Sequence, residues 1–163
     1  MILGMSISTF TTLHVIISLI GIATGFIALF EMIANKPLGF WNTIFLWTTI
    51  LTSVTGFFFP FNGVTPGIIV GIISCAILAV AAFALYAKHV AGPWRWTYVA
   101  LAAVAQWFNV LVLITQSFQK IDSLKVLAPT QSEPPFQISQ GVGLVIVGVL
   151  AIMALRKFRP MAA

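Results

Sequence analysis

The sequence predicts an all-α polytopic membrane protein: a bundle of five transmembrane helices, with the N-terminus outside and the C-terminus cytoplasmic. Three observations predict it. Of the 163 residues, 60% are hydrophobic and only 7% are charged, against about 25% charged in a soluble domain, and mean hydropathy is +1.09. Apolar runs of spanning length recur five times. The basic residues collect on alternate connections. Lipid, and not water, suits such a surface. The formal charge of +5 then serves topology first and needs no nucleic-acid partner.

A hydrocarbon core of about 30 Å needs about 20 helical residues. Thr12–Phe30, Asn42–Phe59, Pro66–Tyr86, Trp96–Gln116 and Gln137–Leu155 qualify, all within a single domain over residues 1–163. The fifth qualifies only if Gln137 to Gln140 enter the bilayer edge, because its strictly apolar part begins at Gly141. The first run carries no charge before Glu31 but holds His14 near its start. At 100° per residue, His14, Ser18, Gly21, Gly25 and Ala28 fall within roughly an 80° arc, a stripe of small residues with an imidazole at one end. No Lys or Arg precedes Lys36. Without a basic n-region the first run reads as a retained helix and not a signal peptide.

Charge sets the expected orientation. Lys36 lies in the first connection, Lys88, His89 and Arg95 in the third, and Arg156, Lys157 and Arg159 in the tail. The opposite side has only Lys120 and Lys125, in the long connection 117–136, alongside Asp122 and Glu133. Six Lys/Arg against two place the first side in the cytoplasm by the positive-inside rule. Trp41, Trp94, Trp96 and Tyr98 are expected at that interface, where an amphipathic ring fits. Pro37, Pro60, Pro66 and Pro93 stand at or near segment boundaries, where a missing N–H costs least. Ala91-Gly92-Pro93 predicts a tight turn and an antiparallel hairpin of the third and fourth helices.

In the outer loop 117–136, Ile121, Leu124 and Leu127 recur at three-residue spacing between charged residues, which predicts a short helix on the membrane surface. Pro129, Pro134 and Pro135 predict a stiff, extended stretch after it.

Polar residues concentrate in the outer halves of the spans: His14 and Ser18, then Thr52, Ser53 and Thr55, then Asn109, Thr115 and Gln116, then Gln137, Ser139 and Gln140. Gln106, Asn109 and Gln116 share roughly an 80° face, and an amide stripe turned to lipid would leave polar groups unpaired, so it should face the bundle interior. Two readings follow. His14, Gln106, Asn109, Gln116, Thr52 and Gln140 line an outer-leaflet pocket for a polar-headed lipophilic ligand, haem or quinone, with His14 as a haem ligand or hydrogen-bond partner. Alternatively, the same side chains join helices to one another. His89, the other histidine, lies at the opposite membrane face, so haem held by two histidines of one chain is not expected.

Catalytic patterns are missing from the sequence. No acidic or basic residue lies inside a span, and there is no phosphate loop, dinucleotide fingerprint or zinc spacing. The lone Cys75 excludes an internal disulfide and a multi-cysteine metal site, and reads as a packing residue. Gly21-xxx-Gly25, Gly67-xxx-Gly71-xxx-Cys75, and Gly141, Gly148 and Ala151 permit close helix approach within the chain or to another chain.

The stretches TTILTSVTGFFFPF (48 to 61), AGPWRW (91 to 96) and LAPTQSEPPF (127 to 136) resemble a group of small integral membrane proteins of proteobacteria to which no activity is attached. The resemblance implies a bacterial inner membrane and carries no functional residues. The expected function is non-enzymatic binding or scaffolding, as an accessory subunit of a larger membrane complex or as a homo-oligomer. The partners are the bilayer and other membrane subunits or a second copy. The alternatives are a redox-associated protein holding haem or quinone, and a transporter of a small neutral solute.

Overall fold

The computed structural model describes residues 1–60 and 63–160. Its elements are helical: α1 (Ile7–Ile33), α2 (Phe40–Gly56), α3 (Pro66–Ala82) running on into a π-helical turn (Phe83–Ala87), α4 (Pro93–Lys120), the short α5 (Asp122–Leu127) and α6 (Pro134–Lys157). Among the described residues, four stretches are long and apolar enough to cross a membrane: Ile7–Ile33, Pro66–Ala87, Pro93–Lys120 and Pro134–Lys157. α2, with 17 residues, rises about 25 Å, short of the about 30 Å core. The expected second span, Asn42–Phe59, ends early because Phe57 and Phe58 leave the helix in a turn, their N–H groups bonded to Val54 O and Thr55 O. Phe61 and Asn62, in the connection that follows, lie outside the described residues.

The other spans run longer than the hydropathy pattern predicts, and local hydrogen bonds explain why. α1 begins at Ile7 because the Ser6 hydroxyl caps it, accepting from Thr9 N–H at 3.1 Å. Thr11 and Thr12 then return their hydroxyls to the carbonyls of Ile7 and Ser8, so the polar residues that marked the predicted boundary are satisfied within the helix. Pro134 and Pro135 open α6 instead of extending the loop. At the first helical positions proline gives up no intrahelical bond and its fixed φ is helical. Gln137 to Gln140 are therefore helical, and the fifth predicted segment is a full-length candidate span.

α1, α2, α3, α4 and α6 form a closed ring of neighbours, and α4 also crosses to α1 and α2. α4 is thus the shared wall. The short α5 is present where predicted, with no buried residue and with Ile121, Val126 and Leu127 exposed. The turn between α3 and α4 is tight: Lys88 N–H closes on Phe83 O and Val90 N–H on Ala84 O. His89 and Val90 both have left-handed φ, 48° and 49°, and Gly92 has φ 53°. That reversal turns Val90 back into the core.

The apolar core lies towards the end of the bundle that carries Lys36, Lys88 and the C-terminal basic residues. It is built from Leu29, Met32, Phe45, Leu46, Leu78, Val99, Phe158 and a set of alanines. Two residues depart from expectation here. Tyr98 is not an interfacial ring but fully buried, and its hydroxyl donates to Asn42 Oδ1 at 2.6 Å. Arg95 is not a solvated loop charge. It is 8% exposed, stacks over Trp96 at 4.2 Å and donates to Leu155 O and Phe158 O at the C-terminal end of α6. A cation suits the negative end of a helix dipole. Arg159 N–H adds a bond to Asn35 Oδ1, so the tail, the α1–α2 connection and the start of α4 meet at one end.

Candidate functional site

Most of the polar residues singled out from the sequence lie on three helix–helix seams. Along the α1–α2 seam, His14 Nδ1 lies 2.8 Å from Thr55 Oγ1. The Thr55 hydroxyl also lies 2.7 Å from Leu51 O; where it donates there, its oxygen accepts from His14 Nδ1–H and the ring lone pair is on Nε2. One turn deeper, the Ser18 hydroxyl bonds His14 O at 2.7 Å and lies 3.3 Å from Thr52 Oγ1. Deeper again, Gly21 lets the helices close: a Cβ there would meet Thr48 Oγ1 at 3.2 Å and Thr49 Oγ1 at 3.3 Å. Aromatic rings pack over the mouth of this seam, with Phe59 edge-on to His14 at 5.1 Å and to Phe10 at 5.0 Å.

The second seam joins α4 to α1 and α2. Gln106 is fully buried, and its Nε2 donates to Ile22 O at 2.9 Å. Its Oε1 has no hydrogen-bond donor and rests against Gly25. The backbone carbonyl of Ile22 only accepts, so the amide cannot be turned round. Glycine is required here because a Cβ on residue 25 would overlap Gln106 Oε1 and stand 2.9 Å from Phe45 Cδ2. In such a close approach a Cα–H is the weak donor left to the buried oxygen. Asn109 Nδ2, one turn on, donates to Thr49 Oγ1 at 3.1 Å.

The third seam joins α4 to α6. Gln140 Nε2 donates to Leu111 O and Thr115 Oγ1, each at 3.1 Å. Above it the loop is ordered by amides and one carboxylate. Gln131 Nε2 donates to Thr115 O at 3.0 Å, and Glu133 accepts from the Thr130 hydroxyl and from the N–H groups of Thr130 and Ser132. Partial desolvation works to raise the Glu133 carboxyl, but these hydrogen bonds outweigh it and hold it below the usual carboxylate range. Phe118 and Phe136 stack edge-to-face at 5.5 Å beneath the loop.

Of the six residues singled out from sequence, His14 and Thr52 sit on the first seam, Gln106 and Asn109 on the second, and Gln140 on the third. Gln116 joins none of them. It is exposed, and its neighbour Thr115, 100° round the helix, carries the contacts instead. The expected inward amide stripe is therefore two residues long, not three. Thr49, Asn42 and Tyr98 escaped the sequence reading. Threonine and tyrosine in an apolar run look like spacers or interface markers, and only the facing helix shows that they pair. Among the described residues, no three His, Cys, Asp or Glu side chains come together as a metal site.

Chemically, the seams hold neutral donors and acceptors already engaged with each other. Groups that keep a free valence among the described residues include His14 Nε2, Gln106 Oε1 and part of the Gln140 amide. Comparisons with protein families, with curated proteins and with solved structures find no match to this chain.

Proposed function

We propose that the chain is a five-helix protein of a bacterial inner membrane, with its N-terminus outside and its C-terminus cytoplasmic. In this reading it acts without catalysis, as a binding or scaffolding subunit of a larger membrane assembly or of a homo-oligomer. Orientation rests on the charge distribution: Lys36, Lys88, Arg95, Arg156, Lys157 and Arg159 on one side, Lys120 and Lys125 on the other. α2 completes the five-helix count because it packs along α1 and α3 as a full member of the ring, and the bilayer thins or side chains snorkel around a short span at modest cost.

The observation that carries the functional reading is the contrast between interior and exterior. Several polar side chains within the spans, His14, Asn42, Gln106, Asn109 and Gln140 among them, bond a facing helix of the same chain, and most of the hydroxyls return to their own helix. The outward face of α6, by contrast, presents Ile138, Val142, Val145, Val149 and Ile152, all at least half exposed, with Gly141 open beside them. Packing between membrane helices favours small residues, and Gly141 and Gly148 are both open on α6. Val145→Cys in a Cys75→Ala background tests it by oxidative crosslinking in native membranes. The expected result is a discrete adduct, either with a second copy or with one partner. If Val145→Cys crosslinks no better than a cysteine placed at Ile72 on the exposed face of α3, the reading fails.

A further inference from the structure

The third seam has a cavity beside it. Between α4 and α6, Trp107, Leu111, Phe136, Gln140, Gly141 and Leu144 line a groove of ≈ 370 Å³ with the Thr115 hydroxyl at its edge. That volume lies within the usual range for small-molecule sites, about 300–1,000 Å³. Its floor is open because Gly141 has no side chain, and a Cβ there would meet nothing within 4 Å. Its walls are apolar, with two aromatic rings, and the polar groups are confined to Gln140 and Thr115.

Gln140 is only half used. Its Nε2 lies 3.1 Å from both Leu111 O and Thr115 Oγ1, and those two acceptors are themselves 2.8 Å apart. They are so close together that a single N–H points at both. The second N–H diverges from them, and no described residue donates to Oε1. These free valences stand at the groove that Gln140 lines. A ligand that fits therefore has a flat ring for the Trp107 and Phe136 walls, an edge oxygen to pair with the Gln140 amide, and an apolar tail that stays in the lipid. We infer that this groove binds an isoprenoid quinone, entering sideways from the bilayer with one ring oxygen on Gln140. The site does not use His14 and does not depend on assembly with another chain.

The full chain in phosphatidylcholine vesicles, titrated with decyl-ubiquinone, tests the assignment. The readout is the fluorescence that wild type shows beyond Trp107→Phe, since quinones quench tryptophan on contact. Saturable quenching of this component is expected. Gln140→Leu should weaken the midpoint about fivefold, the effect of one neutral hydrogen bond. Gly141→Leu, which puts a side chain where a Cβ meets nothing within 4 Å, should abolish saturation, and it decides the matter if Gln140→Leu does not fold. Quenching that rises without saturation, or a midpoint unchanged in Gly141→Leu, would overturn the site. So would quenching by dibrominated phosphatidylcholine that decyl-ubiquinone cannot relieve, which would assign the groove to an acyl chain. Protection of Trp107 from both quenchers in a stable dimer would assign it to a second copy. Crosslinking at Val145 reads the assembly proposal separately.

Discussion

Gly25→Ala probes the contact on which the α1–α4 crossing depends. The added Cβ overlaps Gln106 Oε1, lies 2.6 Å from Gln106 Cδ and 2.9 Å from Phe45 Cδ2. Phe45 and Gln106 are both fully buried, so neither has open space to retreat into. If Gln106 moves, its bond to Ile22 O is lost and a buried amide is left unpaired, at about 1–3 kcal/mol. If the helices move apart instead, overpacking costs about 1–3 kcal/mol. By either route the loss is about 1–3 kcal/mol, an upper range because helices separated within a membrane find other partners. Reversible unfolding in mixed micelles measures it, and a double-mutant cycle with Gln106→Ala isolates the pair. Truncating Gln106 removes the atoms that the new methyl meets, so the double variant should be at least about 1 kcal/mol more stable than additivity predicts. A loss under 0.5 kcal/mol for Gly25→Ala, or strict additivity, would refute the close-approach geometry; that threshold is roughly the ordinary scatter between independent sites.

Other perturbations follow from single contacts. Tyr98→Phe leaves Asn42 Oδ1 buried without its donor and should destabilise by about 1–3 kcal/mol in the same assay, with Asn42→Leu added restoring part of the loss. His89→Gly relieves a left-handed φ of 48° and should raise stability by about 0.5–1 kcal/mol, unlike nearly every other glycine substitution in this chain. The folded Glu133 carboxyl is held below its unfolded value. Its contribution to loop order is therefore complete above the unfolded pKa of about 4.3 and is lost as pH falls through the lower folded value. Protection of the Thr130 and Ser132 amides from hydrogen exchange should drop across that acid window in wild type. In Glu133→Gln it should already be reduced at neutral pH and change little on acidification.

Much of this architecture is legible in the residues because the bilayer imposes a simple rule on hydropathy. The long apolar runs, the Ala91-Gly92-Pro93 reversal and the short helix at Asp122–Leu127 are all written locally. What is not legible depends on the facing helix. Ser6, Thr11 and Thr12 look like a boundary until their hydroxyls are seen bonding within α1. Pro134 and Pro135 read as a stiff extended stretch, whereas they occupy the first positions of α6, where proline gives up no intrahelical bond. Tyr98 and Arg95 carry the composition of an interface, yet the chain buries them because Asn42 and the carbonyl end of α6 stand opposite. Gln106 and Asn109 were recognisable as inward-facing from their spacing, but Gln116, on the same arc, is exposed, while α4 at that level is covered on the side of Thr115 and Phe118. Gly21 and Gly25 read equally as a seam for this chain or for another, and the positions of Thr48, Thr49 and Gln106 assign them to this one.

Association in the membrane is the central claim, and native mass measurement tests it most directly. The chain is released from bilayer nanodiscs formed straight from cell membranes, without prior detergent extraction. The expected spectrum shows a defined multiple of the chain mass, or the chain with one other subunit in fixed ratio. A spectrum containing only the single chain and lipid, from the same nanodiscs in which Val145→Cys gives no adduct, would contradict it.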